Sequence, residues 1–327
     1  MSYALNILDQ SPVIGDQTNV EAFQQTIALA QMAERLGYKR FLVSEHHNLK
    51  GLIGTSPETL ISHILAKTST IRVGSAGVML QHYSAFKVAE NFQVLATLSP
   101  GRVDLGVGKT TGGLPYSTNA LQKQFKEQTD PFDVRFEELY RYVHNEDDLL
   151  IATPVPPSAP EMILLGASVE SAKMAANYDV HFAFPRAISE DDAFIHEIVA
   201  QVKERKRGKL IMMVTVIASE DREEAIRLAE TYVVAKVFLQ SGKVFSLQTT
   251  ELAQTFGEQS NEPFEVKTYP AKIIAGTSEE IKKELDALHK TFGVDEFILH
   301  TPVEHIEKRI KSFELLSPAK LFHSINA

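Results

Sequence analysis

Along this chain, short apolar runs alternate with longer stretches whose apolar positions recur every three or four residues. A strand buried on both faces reads as a continuous apolar run, and a helix covering it reads as amphipathic, so the alternation predicts parallel strands with crossover helices. Ala4 to Asp9 opens as a strand. Thr18 and Glu21 then stand at capping-box spacing, and Phe23, Ile27, Ala30 and Ala33 follow at helical intervals until Gly37 ends the helix. Arg40 to Glu45 is a second strand, and helix Pro57 to Lys67 leads into strand Ile71 to Leu80. Helix Phe86 to Leu98 stops at Ser99-Pro100-Gly101, before a fourth strand at Val103 to Val107.

The second half repeats the pattern less evenly. Strands are expected at Met162 to Leu165, His181 to Phe184, Leu210 to Ala218 and Phe297 to His300. Helices are expected at Ser171 to Asn177, Asp191 to Glu204 and Arg222 to Val233. Two more follow, one capped by Thr277 and Glu280 with Ile281, Leu285, Leu288 and Phe292 on one face, the other carrying Ile306, Ile310 and Phe313. Strands each followed by a helix predict an α/β fold of the (β/α)8 TIM-barrel type, as one domain spanning residues 1–327. An open doubly wound sheet fits less well, because no Gly-rich dinucleotide turn follows the first strand. Two insertions break the rhythm, at about residues 110–160 and 236–270. The first holds one helical patch, Phe136 to Val143, and a proline cluster. The second is polar and without sustained period, and is expected to be a mobile lid over a binding site.

Composition narrows the function. The 327 residues include no cysteine, which removes disulfides, thiolate nucleophiles and cysteine-ligated metal centres. A formal net charge of −9 opposes nonspecific binding to nucleic acid or to anionic membranes. The N-terminal stretch lacks a basic region followed by an apolar run, and the most apolar run, Leu210 to Ala218, falls far short of the roughly 20 residues that span a bilayer. A soluble, cytoplasmic protein is expected, with neither nucleic acid nor membrane as partner.

Several short motifs point nowhere. Gly106-Val107-Gly108-Lys109-Thr110 lacks the earlier glycine of a phosphate-binding loop, since Val103 stands in its place. Glu45-His46-His47 places its histidines on adjacent strand positions, which face opposite ways and do not share one metal ion. Gly166-Ala167-Ser168-Val169-Glu170 lacks the closing glycine of a nucleophile elbow. In a barrel, however, polar residues at the C-terminal ends of strands surround the active-site mouth. Asp9-Gln10, Glu45-His46-His47-Asn48, Gln81-His82, Lys109 and Ser168 all fall there. The helix beginning near Ser168 offers free N–H groups and the hydroxyls of Ser168 and Ser171, a physical phosphate site with Lys109 as counter-charge. Gly276-Thr277-Ser278 is a rival, but Glu279 and Glu280 in the first turn of its helix would repel a phosphate.

The segments Leu42 to His47, Arg72 to Leu80, Ala89-Glu90, Leu98 to Gly108, Leu165 to Ser168 and Arg309 to Leu316 together resemble the bacterial luciferase-like monooxygenases. The similarity covers nearly the whole chain and is weakest in the two insertions. It implies reduced flavin mononucleotide (FMN) at the barrel mouth, oxygen activation, and a small organic substrate of aldehyde, sulfonate or amine type. It implies that His46 acts beside the flavin in proton transfer, which suits an imidazole. Cofactor contacts are implied for Glu45, Ala76, Gly77, Lys109, Ala167, Ser168, Val169 and Ser171. Ala76-Gly77 match a pair often joined by a non-proline cis peptide, and Lys109 stands where relatives carry a phosphate-binding arginine. Lysine there keeps the charge but loses the bidentate fork. Gln81 and Ala85 replace common prolines, and Gly108 replaces the reactive cysteine of the light-emitting members. No nicotinamide fingerprint is present, so a separate reductase is expected to supply reduced FMN. A homodimer is also expected, through the face of the Phe86 to Leu98 helix that carries Val88, Phe92 and Leu95, with Glu90 buried against a partner. Two alternatives remain: a deazaflavin-dependent hydride-transfer enzyme, and a flavin-binding protein without turnover.

Overall fold

The pleat alternation of the strands decides which residues fill the barrel and which meet the helices. A computed structural model describes residues 3–123, 130–146, 149–188, 191–202 and 206–323. In chain order its elements begin β1 (Ala4–Asp9), α1 (Asn19–Arg35), β2 (Arg40–Val43), α2 (Pro57–Lys67), β3 (Arg72–Ser75), β4 (Val78–Met79), α3 (Ala85–Leu98) and β5 (Val103–Gly108). Next come α4 (Pro115–Gln122), α5 (Phe132–His144), β6 (Glu161–Leu165), α6 (Val169–Asn177), β7 (His181–Pro185), α7 (Asp192–Val202), β8 (Leu210–Ala218) and α8 (Arg222–Glu230). The chain ends with β9 (Val233–Leu239), β10 (Val244–Leu247), α9 (Thr250–Gln259), β11 (Phe264–Pro270), β12 (Ile274–Gly276), α10 (Ser278–Phe292), β13 (Glu296–His300), α11 (Ile306–Leu315) and α12 (Pro318–His323).

Parallel pairing runs β8-β13-β1-β2-β3-β5-β6-β7 and returns from β7 to β8, closing an eight-stranded barrel of the expected TIM type. Leu8, Leu42, Ile163, Ala183, Ile211 and Ile298 form its apolar interior layer. Their strand neighbours Ile7, Phe41, Leu164, Phe182, Met212 and Phe297 point outward into the shell between sheet and helices. Both expected capping boxes are present, Thr18 with Glu21 at α1 and Thr277 with Glu280 at α10. Between helices, Glu34 accepts hydrogen bonds from the N–H groups of Ser69, Thr70 and Ile71 and so fixes the turn into β3.

At the N-terminal end of the barrel the interior is charged rather than apolar. Arg40, fully buried, meets Asp104 at 2.6 Å, Glu161 at 2.8 Å and Glu296 at 2.9 Å. Arg72 adds a contact to Asp104 at 2.5 Å, and His181 one to Glu161 at 2.9 Å. These groups neutralise one another and close the bottom of the barrel.

The structure differs from the sequence reading in several places, the first being the strand expected over Ile71 to Leu80, which is broken into β3 and β4 at Ala76-Gly77. Residues 236–270 are not an irregular loop: β9 pairs antiparallel with β10 and β11, and α9 packs on that sheet. The helix expected to reach Val233 stops at Glu230, and Val233 begins β9. A helix, α4, occupies part of the first insertion where none was expected. Val88, Phe92 and Leu95, read as a dimer face, are buried in this chain's own core, and Glu90 pairs with Lys87. The exposed apolar residues of α3 are Val94 and Leu98. The last two residues of the expected Asp191 to Glu204 helix lie outside the described residues. Among the described residues, no helix is long and apolar enough to cross a membrane.

Candidate active site

The loops after the strands gather the polar residues that the barrel pattern singled out. After β2, His46 is half-buried, and its N–H is held by the Gly54 carbonyl at 2.9 Å. Its Nε2 lies 3.1 Å from Gln10 Nε2, and its Nδ1 lies 3.4 Å from the Gly112 carbonyl. Burial lowers its pKa, against the Gly112 contact, which favours the neutral ring.

Glu45 and His47 flank it but turn to other partners. The buried Glu45 carboxylate accepts from the Met79 N–H at 3.0 Å and from the Tyr83 hydroxyl at 2.7 Å, and it pairs with His47 Nε2 at 2.6 Å. Three protein partners thus occupy the carboxylate expected to touch a cofactor, and they lock the β2 loop to the β4 region. The expectation that the two histidines face different ways agrees with these partners. His82, after β4, meets the Thr111 carbonyl at 2.8 Å.

Ala76 and Gly77 link β3 to β4 through a cis peptide, as the resemblance implied. Here the backbone of β3 and β4 approaches β5 so closely that glycines are required. A Cβ on Gly106 would stand 2.0 Å from the Ser75 carbonyl oxygen, and one on Gly77 would stand 2.8 Å from Gly106 and Leu165.

Lys109 follows β5 and is exposed. Ser168 caps α6, its hydroxyl accepting from the Ser171 N–H at 3.2 Å, with the two hydroxyls 3.2 Å apart. Ala167 and Val169 flank this cap at the mouth end of β6. Glu170, in the first turn, has a lowered pKa. It folds onto its own N–H and the Ser168 side chain, and Lys173 and Lys109 add to the effect. Lys109 is therefore close enough to α6 to act on a charge at its start. Glu170 is a competing anion that the sequence reading overlooked, but it is fully exposed and free to swing away. At the rival helix start, Glu280 already accepts the Thr277 N–H at 3.0 Å and is paired with Arg222 at 3.0 Å, so no anion is needed there. A hydroxyl-capped helix start with an exposed cation acting on it fits a phosphate group. Among the described residues, no cluster of histidine and carboxylate side chains could hold a metal ion.

A cavity of about 360 Å³, lined in part by His46's neighbour Gln10, opens between the barrel mouth and the β9–β10–β11 sheet. Ile14, Leu52, Leu247, Leu252 and Ile273 supply apolar wall, while Gln10, Thr215, His300, Thr301 and Arg309 line the barrel side. Burial, then Arg309, pushes the His300 pKa down to about 4, so this ring is neutral as well. The Thr301 hydroxyl is buried and has no partner among the described residues. Arg309 is tied to Asp9 at 3.0 Å. The sequence reading missed His300, although its place at the end of the last barrel strand follows the same rule that selected His46.

Comparison with known proteins adds to this geometry. The family profile described as luciferase-like monooxygenase matches residues 1–314. The chain is 37% identical to an N-acetyl-S-alkylcysteine monooxygenase of Bacillus subtilis (strain 168), covering 97% of this chain and 98% of that one. The crystal structure of apo-MsnO8 is similar with a TM-score of 0.78 and 31% identity, covering 97% and 98% of the two chains. The oxygenating constituent of 3,6-diketocamphane monooxygenase from Pseudomonas putida, solved with FMN, shares the fold with a TM-score of 0.70 and 15% identity, covering 97% of each.

Proposed function

The chain belongs to the luciferase-like monooxygenase family, and from that premise we propose that it oxygenates a small organic substrate with O2 and reduced FMN delivered by a separate reductase. One observation carries this reading: Gln10 lies 3.1 Å from His46 Nε2 and lines a largely apolar cavity of about 360 Å³ at the barrel mouth. Reduced FMN, when bound, supplies the electrons that activate oxygen.

The remaining tasks fall to this chain. Lys109, Ser168, Ser171 and the start of α6 hold the phosphate, with Val169 and Ala167 beside it. Ala76 and Gly77 support the ring. The apolar wall excludes water. His46 Nε2 accepts or returns a proton at the reacting centre. Glu45 keeps the His46 loop in place through Met79 and Tyr83. The substrate set comprises aldehydes, sulfonates and amines, to which the Bacillus relative adds N-acylated thioethers. A homodimer remains part of the reading and now rests on Val94 and Leu98 of α3.

The test supplies the protein with reduced FMN under ¹⁸O₂ and screens those four substrate classes. The expected result is one ¹⁸O atom in an organic product. Turnover with a reduced deazaflavin in the absence of oxygen, and none with FMN, would assign hydride transfer instead. Tight FMN binding with no turnover by either route would leave a flavin carrier.

A further inference from the structure

The hydrogen on His46 can be placed by its surroundings. The Gly112 carbonyl accepts the His47 N–H at 2.9 Å and faces His46 Nδ1 at 3.4 Å, at the long end of the range. Gly112 holds that carbonyl in place with a positive φ of 62°, and a Cβ there would meet the Glu45 carbonyl oxygen at 2.9 Å. A carbonyl oxygen only accepts, so Nδ1 bears the hydrogen, and in a neutral ring Nε2 is left with the lone pair. Gln10 must then present its amide NH2 to Nε2, 3.1 Å away. Its own Oε1 faces the other way and accepts from Gln248 Nε2 at 2.9 Å. Gln248 lies between β10 and α9, in the segment that closes over the cavity, and both glutamines line that cavity. Turning Gln10 by half a rotation would aim its carbonyl at a lone pair and its NH2 at another NH2.

We propose that Gln10, held by Gln248, is a positioning residue that fixes His46 as the Nδ1–H tautomer with a proton-accepting Nε2. The chain Gln248–Gln10–His46 then links the three-stranded insertion to the proton-transfer residue. When Nε2 gains a proton, Gln10 must rotate so that its Oε1 accepts it, and Gln248 must turn its carbonyl toward Gln10. The proton inventory of the site is thus written into the amides over the cavity. An occupant that bonds to either amide alters the ring's readiness to take a proton. The titratable and charged groups facing His46 are Glu45 and His47 beside it, which pair with each other, and His300 from β13 with the Asp9–Arg309 pair behind it. None of them supplies a donor to Nε2 in place of Gln10. The catalytic consequence rests on the reading of His46 given above; the tautomer does not.

The test uses the full chain, without flavin or substrate, labelled with ¹⁵N-histidine and observed by two-bond ¹H–¹⁵N NMR at pH 8. His46→Asn assigns the signal. The expected spectrum shows His46 with its proton on Nδ1. Gln10→Glu places only acceptors against Nε2, so a proton should move there and the His46 pKa should rise by about 1–3 units. Gln10→Leu should give a tautomer mixture, and Gln248→Ala, at an exposed position, a smaller shift the same way. Thermal midpoints near that of the parent exclude misfolding as the cause. A proton on Nε2 in the parent, or an unmoved tautomer and pKa in Gln10→Glu, overturns the proposal. If the Nδ1–H ring is found but His46→Ala keeps full turnover, the amide chain stands and His46 leaves the chemistry. An Nε2–H ring with lost turnover gives the reverse.

Discussion

Replacing Lys109 with alanine should separate phosphate binding from ring binding if the proposed site is right. Lys109 is exposed at the end of β5, close enough to α6 to act on the charge of Glu170. A charge-assisted hydrogen bond contributes about 1.5–3 kcal/mol. An exposed ammonium is screened by solvent, so the lower end applies, and about 1.5 kcal/mol corresponds to roughly tenfold in Kd. Lys109→Ala should therefore weaken FMN about tenfold and leave riboflavin, which has no phosphate, nearly unchanged. Raising the salt concentration should weaken FMN binding to the parent but not to the variant. Glu170→Gln should strengthen FMN binding modestly, since the carboxylate at the start of α6 competes with the phosphate. The assay is flavin fluorescence quenching, titrated with both flavins at two ionic strengths. Equal losses for FMN and riboflavin in Lys109→Ala would remove Lys109 from the phosphate site, and weaker FMN binding in Glu170→Gln would show that Glu170 is not a competitor.

Four further outcomes are expected. His46→Ala should keep FMN affinity within a few-fold while turnover falls by about 10²–10⁴, read by stopped-flow reoxidation and product formation; parental kinetics would refute the proton-transfer role. Glu161, through His181 and then Arg40, and Glu296, where burial is outweighed by Arg40 and Lys39, are held well below the usual carboxylate range. Because folding lowers these pKa values, their stabilisation is complete above about pH 4.5 and is lost as pH falls toward the folded values, so urea midpoints should drop between pH 5 and pH 2 and much less between pH 8 and pH 5. Amide exchange should be slow in β9 and β11 without ligand and should slow around Gln248 when flavin and substrate bind; fast exchange throughout 236–270 would contradict the sheet. Light scattering should give a dimer mass that Leu98→Glu reduces, and a monomer at every concentration would end the dimer reading.

What the sequence disclosed follows from how each element is buried. The barrel strands were legible because both faces are covered, so Phe41-Leu42-Val43 and Leu210 to Ala218 read as apolar runs. The strand β9 is covered on one face only: Ala235, Val237 and Leu239 are buried, while Val234, Lys236 and Phe238 are half-exposed. That period of two was present, followed by a turn at Gly242 with φ 85°, but surrounding polar residues hid it. The helix α4 buries no residue fully, so it left no apolar stripe to find. His46, Lys109 and Ser168 stood out by position at strand ends. Gln10 was seen but not understood, because its role depends on Gln248, a residue 238 positions away.

Polar residues occur at both ends of this barrel, and type alone does not tell a structural group from a working one. What separates them is whether the protein itself has used up their hydrogen-bonding capacity. At the bottom, Arg40 is met by Asp104, Glu161 and Glu296. Such a group left without one partner would be a buried uncompensated charge, so this layer belongs to stability. At the mouth, Asp9 and Glu45 look equally catalytic in sequence but are consumed in the same way. Asp9 is taken by the Ser11 N–H, Thr26 and Arg309, and Glu45 by Met79, Tyr83 and His47. Lys109 is exposed, Thr301 has a buried hydroxyl without a partner among the described residues, and His300 lines the cavity. His46 Nε2 meets Gln10 at 3.1 Å, an amide able to turn. Chemistry requires a group that can change partners during a turnover, and on the proposed reading His46, not the carboxylates beside it, is that group.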